Sequence, residues 1–82
     1  MINVKLLLFH TVADQAGRRE ADLQVAPGAT VADAFMALQK QHPALIMEPK
    51  TLAFTRNEEY VPTDSLISDG DEIGVLPPVS GG

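Results

Sequence analysis

Asp69-Gly70-Asp71-Glu72-Ile73-Gly74-Val75-Leu76-Pro77-Pro78-Val79-Ser80-Gly81-Gly82 closes the sequence, and a tight turn, a strand and a narrow arm follow one another directly within it. Ser68 to Asp71 has turn chemistry, and from Glu72 to Leu76 the apolar Ile73 and Val75 alternate with Gly74 and Leu76, as in a strand. Pro77-Pro78 stiffens the chain in an extended conformation where it leaves that strand. Gly81 and Gly82 have no Cβ, so this end can thread a channel too narrow for any other dipeptide. From Leu76 to Gly82 the arm reaches roughly 20 Å when extended. Its last group is a free α-carboxylate that another enzyme could activate with ATP. Terminal fraying is the other reading of the same dipeptide.

Working outward, the opposite end of the sequence holds a matching strand. Ile2, Val4, Leu6 and Leu8 alternate with Asn3, Lys5, Leu7 and Phe9, giving one strongly apolar face. His10 to Ala16 suits a short helical turn closed by Gly17, and Ala21, Leu23 and Val25 mark a second strand that ends at Ala26-Pro27-Gly28. Thr30 can cap a helix with Asp33 at its N3 position. Val31, Ala34, Phe35 and Leu38 fall on one helical face, and His42-Pro43 stops the helix. Leu45, Ile46 and Met47 are expected to tuck under the core. Thr51 to Thr55 reads as a third strand, Asn57-Glu58 as a hairpin turn and Tyr60-Val61 as a short return strand ended by Pro62. Leu66 and Ile67 are expected to anchor the loop that follows.

One main helix must then cover one face of a mixed sheet, because nothing else is available to bury that face. The first and last strands are both apolar and are the natural central pair, parallel to each other with the helix between them in the chain. The expected fold is α+β, a β-grasp, with residues 1–76 as the body and residues 77–82 as an extended, flexible C-terminal Gly-Gly tail.

Composition narrows the function. The 82 residues contain no Cys, which excludes disulfides, thiolate metal sites and a cysteine nucleophile. A net charge of −5 argues against nucleic acid as a partner. All six Lys and Arg lie between Lys5 and Arg56, whereas Glu58, Glu59, Asp64, Asp69, Asp71 and Glu72 follow with no base among them. Such a cluster is a solvated face, or it steers the tail-bearing half toward basic clefts. No basic leader with a small-residue cleavage site opens the sequence, and its apolar run from Leu6 to Phe9 is too short to span a bilayer. A soluble, cytoplasmic protein is expected, with no membrane partner.

Alternation also predicts a docking face. With Val4, Leu6 and Leu8 turned toward the helix, Leu7 and Phe9 face outward, as does Leu76 in the last strand. If those strands pair, Leu7, Phe9 and Leu76 form an apolar patch on the uncovered face beside the tail's exit. Alternatively Phe9 covers a gap under the His10 to Ala16 turn. Docking is favoured because no second helix is available to cover this pair. Other constellations carry little: His10 and His42 lack ligand spacing, and Asp69, Asp71 and Glu72 lack a calcium loop with its closing glutamate. Ser65, Ser68 and Ser80 have no His/Asp partners, and no Gly-rich phosphate loop occurs. No catalytic site internal to the chain is expected, no bound cofactor and no metal.

The final fourteen residues resemble the ending of the small subunit of molybdopterin synthase, the MoaD family within the MoaD/ThiS ubiquitin-like sulfur carriers. The likeness rests on the Asp69-Gly70-Asp71-Glu72 turn, the apolar strand, Pro77-Pro78-Val79 and Gly81-Gly82. Asn57-Glu58 before Tyr60-Val61 resembles the family's hairpin. Arg56 departs from it, since a small apolar residue is more usual there; by alternation it shares the face of Leu52 and Phe54 and should snorkel at the strand end. The resemblance implies a sulfur carrier. An E1-like adenylating enzyme, consuming ATP, would join the Gly82 carboxylate to AMP, and a persulfide sulfur donor would convert it to a thiocarboxylate. The tail, Pro77, Pro78, Val79, Ser80, Gly81 and Gly82, would then insert into the large synthase subunit, in a heterotetramer of two small and two large subunits, to build the dithiolene of molybdopterin. A carrier for thiamin or tungsten cofactor, a ubiquitin-like modifier conjugated through Gly82, and a plain interaction domain with a tail of no function are the competing readings.

Overall fold

The computed structural model describes residues 1–78; Val79, Ser80, Gly81 and Gly82, with the expectations placed on them, lie outside the described residues. Strand β1 (Ile2–Leu8) leads through the short helix α1 (Thr11–Ala16) to β2 (Glu20–Val25) and the main helix α2 (Val31–Gln41). β3 (Ala53–Arg56), β4 (Glu59–Val61) and β5 (Glu72–Leu76) follow. The five strands form one sheet in the order β2-β1-β5-β3-β4. β1 and β5 run parallel, with Leu6 opposite Ile73 and Leu8 opposite Val75, and the other pairs are antiparallel. This is the expected β-grasp, with β1 and β5 at its centre.

The reasons are local. Thr30 and Asp33 complete a capping box, the Asp33 N–H donating to Thr30 Oγ1 at 3.1 Å and the Thr30 N–H to Asp33 Oδ2 at 3.0 Å, which satisfies two backbone donors that the first helical turn leaves orphaned. Val31, Ala34, Phe35 and Leu38 are buried against Val4, Leu6, Leu8, Leu23, Phe54, Ile73 and Val75. Phe35 meets Phe54 edge to face, with ring centroids 6.0 Å apart, the geometry that the ring quadrupoles favour. Gly17 takes the left-handed conformation at φ 73° and closes α1, its N–H donating to the Ala13 carbonyl at 2.8 Å.

Four expectations are corrected. The third strand begins at Ala53, not Thr51, because Pro49 starts a 3₁₀ turn over Pro49–Thr51 that occupies the Thr51 and Leu52 N–H groups; Leu52 is nonetheless buried. Of the apolar trio after α2, Leu45 is buried and Met47 packs on the core, but Ile46 is 77% exposed. Ile67 anchors its loop, whereas Leu66 faces solvent and contributes its backbone, in a bridge to Thr30. Arg56 does not simply snorkel: its Nε donates to Asp71 Oδ2 at 2.9 Å.

Candidate functional site

Two positions on the sheet matter for a tail leaving β5. At the entry end of that strand, a polar hub fixes its register. Asp71 is buried, and its carboxylate accepts from the Ser68 N–H at 2.8 Å, from Arg56 Nε at 2.9 Å and from Asn57 Nδ2 at 3.0 Å. Asn57 and Glu72 exchange a second pair of bonds, the Glu72 N–H to Asn57 Oδ1 at 3.0 Å and the Asn57 N–H to the Glu72 carbonyl at 2.8 Å. Asn57 and Glu58 both adopt positive φ, 51° and 75°, as a tight primed hairpin turn requires. Burial pushes the Asp71 carboxyl upward, but the Ser68 and Asn57 hydrogen bonds and the Arg56 charge together hold it below its ordinary value. Asp71 therefore belongs to a buried hub and not to a solvated acidic face. Sequence reasoning missed its role, although an Arg at an inward position of a strand end was a sign that a buried acid would meet it.

At the exit end, the uncovered face carries the apolar patch. Leu7 lies opposite Gly74 in the parallel pair, Thr55 lies opposite Gly74 on the other side, and Tyr60 lies opposite Thr55. One row across the sheet is thus Leu7, Gly74, Thr55 and Tyr60. Phe9 extends the β1 ladder, its N–H donating to the Val75 carbonyl at 3.2 Å. The Phe9 ring lies over Gly74, with Cε2 3.6 Å from where a Cβ at that position would stand, and remains 39% exposed. Leu76 is half-buried beside Ala53. The structure therefore brings Leu7, Phe9 and Leu76 together on the open face, next to Pro77 and Pro78. Tyr60, 73% exposed, is an addition; its place followed from the hairpin register, which alternation within a three-residue strand does not fix.

Gly74 is required by this packing. A Cβ there would collide with Thr55 Oγ1 on the neighbouring strand. Gly74→Ala is expected to cost about 1–3 kcal/mol by overpacking, read from the urea midpoint. Adding Thr55→Ala should recover most of the loss, since the two sites share one contact. Strictly additive losses would show that the collision is not the cause.

Charge surrounds the patch. Lys5 is flanked in register by Asp22 and Glu72, and Leu7 by Glu20. No group of three or more His, Asp or Glu side chains able to hold a metal occurs among the described residues. Nor is any helix among them long and apolar enough to cross a membrane.

A five-stranded mixed sheet, one covering helix and a Gly-Gly ending beyond the central strand define a ubiquitin-like β-grasp protein. The sequence profile of the ThiS family matches residues 6–82, and the chain belongs to that family. It is 37% identical over 83 residues to the molybdopterin synthase sulfur carrier subunit of Chlamydomonas reinhardtii, covering 99% of this chain and 100% of that one. It is 36% identical to small archaeal modifier protein 1 of Haloferax volcanii, over 92% of this chain and 95% of the relative. The crystal structure of SAMP1 from Haloferax volcanii superposes with a TM-score of 0.84 at 34% identity, covering 98% of this chain and 99% of that one.

Proposed function

We propose that the chain is the sulfur-carrier subunit of a molybdopterin synthase, with Gly82 as its reacting residue. An E1-like enzyme adenylates the Gly82 carboxylate with ATP, releasing pyrophosphate, and the terminal sulfur of a persulfide donor displaces AMP to form an acyl disulfide. A thiol then cleaves that S–S bond, leaving the thiocarboxylate on Gly82 and a disulfide on the donor, and the thiocarboxylate enters the active site of the large synthase subunit. The reading includes a heterotetramer of two carriers and two large subunits, a cytoplasmic setting, no bound cofactor, and no catalysis by the carrier alone. Its body is residues 1–76 and its inserted tail residues 77–82.

The observation that carries this reading is the placement of Leu7, Phe9 and Leu76 beside the start of the tail. A carboxylate is a poor electrophile until AMP provides a leaving group, so the chemistry needs a partner that holds the tail. An apolar patch at the tail's root supplies binding energy close to the reacting end, and tethering raises the effective concentration of sulfur at the partner's site. Glu20, Asp22 and Glu72 outnumber Lys5, which lies between Asp22 and Glu72, so the charge around the patch favours a partner with a basic rim. The relatives named as sulfur carriers support the same assignment. Carriage of sulfur toward thiamin or tungsten cofactor would use the same tail chemistry with a different client.

Incubation with the adenylating enzyme, ATP and a persulfide donor should convert the intact mass to that of the oxygen-to-sulfur product. The likeness to an archaeal modifier favours a second reading, an isopeptide bond from Gly82 to lysines of other proteins; mass ladders on those proteins, without the sulfur product, would establish it. Docking has its own test. Phe9→Asp should weaken binding to the large subunit tenfold or more, given the apolar area withdrawn, while the protein stays folded. Unfolding of this variant would place Phe9 in the core instead.

A further inference from the structure

The side of the molecule away from the open face exposes apolar residues that the docking patch does not use, among them Met36 and Ile46. Ile46 follows the buried Leu45 in the loop after α2 and is 77% exposed. A lone apolar side chain on a surface needs no explanation by itself. Ile46 differs because side chains from both helices hold its backbone. The Ile46 N–H donates to Gln15 Oε1 of α1 at 3.2 Å. On either side, Gln39 Nε2 of α2 donates to the Leu45 carbonyl at 3.1 Å and to the Met47 carbonyl at 2.6 Å. Burial of Leu45 explains the course of the loop but leaves Ile46 projecting, β-branched and stiff at χ1. A side chain held this way loses little conformational freedom on binding.

The loop also lies at the tail-exit end of the fold. α1 joins it to Phe9, because the Val12 N–H donates to the Phe9 carbonyl at 3.1 Å and the Phe9 N–H to the Val75 carbonyl at 3.2 Å. On its other side the chain runs through the 3₁₀ turn into Ala53, which pairs with Leu76. Phe9 and Ile46 thus stand on two sides of the strand end from which Pro77 emerges, one on the open sheet face and one in the helix-bearing layer.

We infer that the protein receiving the tail grips the exit from both sides, and that Ile46 is the helix-side anchor, seated in an apolar socket of that protein. The inference rests on the proposed function, with the large synthase subunit as the receiver. Titration calorimetry of the full-length chain against the large subunit from the same organism tests it. Ile46→Ser should weaken binding roughly tenfold, as expected for burying one branched aliphatic side chain, with an unchanged thermal midpoint. Ile46→Val should bind nearly as tightly as the wild type, and Met36→Ser, exposed on the face of α2, should bind unchanged. If Ile46→Ser binds like the wild type while Phe9→Asp binds weakly, the inference is overturned and the proposed function stands. If the wild-type chain does not bind the large subunit at all, both fall. A change in self-association of free Ile46→Ser without a change in partner affinity would assign Ile46 to a contact between copies and also overturn it.

Discussion

Deleting Gly82 is expected to abolish sulfur transfer while leaving the thermal midpoint of the protein essentially unchanged. Among the described residues the core is built from Val4, Leu6, Leu8, Phe35, Phe54, Ile73 and Val75, all of which precede the tail in the chain. Removing one residue draws the terminal carboxylate back by about 3.3 Å. Misplacement of a reacting group by only ~1 Å can cost 100-fold, so a shift of this size should leave no measurable product. Gly82→Ala separates reach from width: it keeps the length and adds a Cβ, and a channel shaped for glycine should refuse it. Activity should be followed both as formation of the thiocarboxylate and as sulfur delivery to the large subunit. Unchanged activity in the truncated protein would refute the proposed chemistry at Gly82.

Asp71→Ala should be the most damaging polar substitution in the body, at about 3 kcal/mol, because removing one partner of a buried ion pair strands the other groups. The lower end of the usual range applies, since the Arg56 side chain is 39% exposed and can rehydrate. In a domain of this size the loss corresponds to roughly 12–24 °C in thermal midpoint. The hub also sets a pH dependence. The folded carboxyl titrates below its ordinary value of 3.8, so its stabilising contribution is complete above that value and is lost as pH falls through the lower, folded one. Urea midpoints of wild type and Asp71→Asn should differ at neutral pH and converge in the acid range below 3.8. Parallel curves over that range would show that Asp71 does not ionise with the benefit of its partners.

The two ends of β5 were unequally legible. At the exit end, alternation alone placed Leu7, Phe9 and Leu76 on one face, because a strand fixes the side-chain period at two and both strands are long enough to show it. Tyr60 escaped because β4 has only the residues Glu59–Val61, so its facing depends on hairpin register. At the entry end, Asp71 read as one carboxylate in an acidic run. Its partners Arg56 and Asn57 lie 15 and 14 residues away along the chain, and no local period links them. The apolar run at Leu45-Ile46-Met47 shows the same limit, since hydrophobicity predicts burial for all three and the backbone's hydrogen bonds to Gln15 and Gln39 decide which one turns out.

By itself the sequence determined the order of the main elements, the inward faces of β1, β2, α2 and β5, the capping of α2 by Thr30, the absence of any thiol, and the Gly-Gly ending with Pro77-Pro78 before it. These are local properties, written in period, capping chemistry and composition. Only the tertiary structure decided that Phe9 lies over Gly74, that Asp71 binds Arg56, Asn57 and the Ser68 N–H at once, and that Ile46 projects to solvent between the buried Leu45 and Met47 packed on the core. Each of those depends on contacts between segments distant in the chain. Such contacts form only when the sheet closes around α2 and burial makes every unpaired polar group costly.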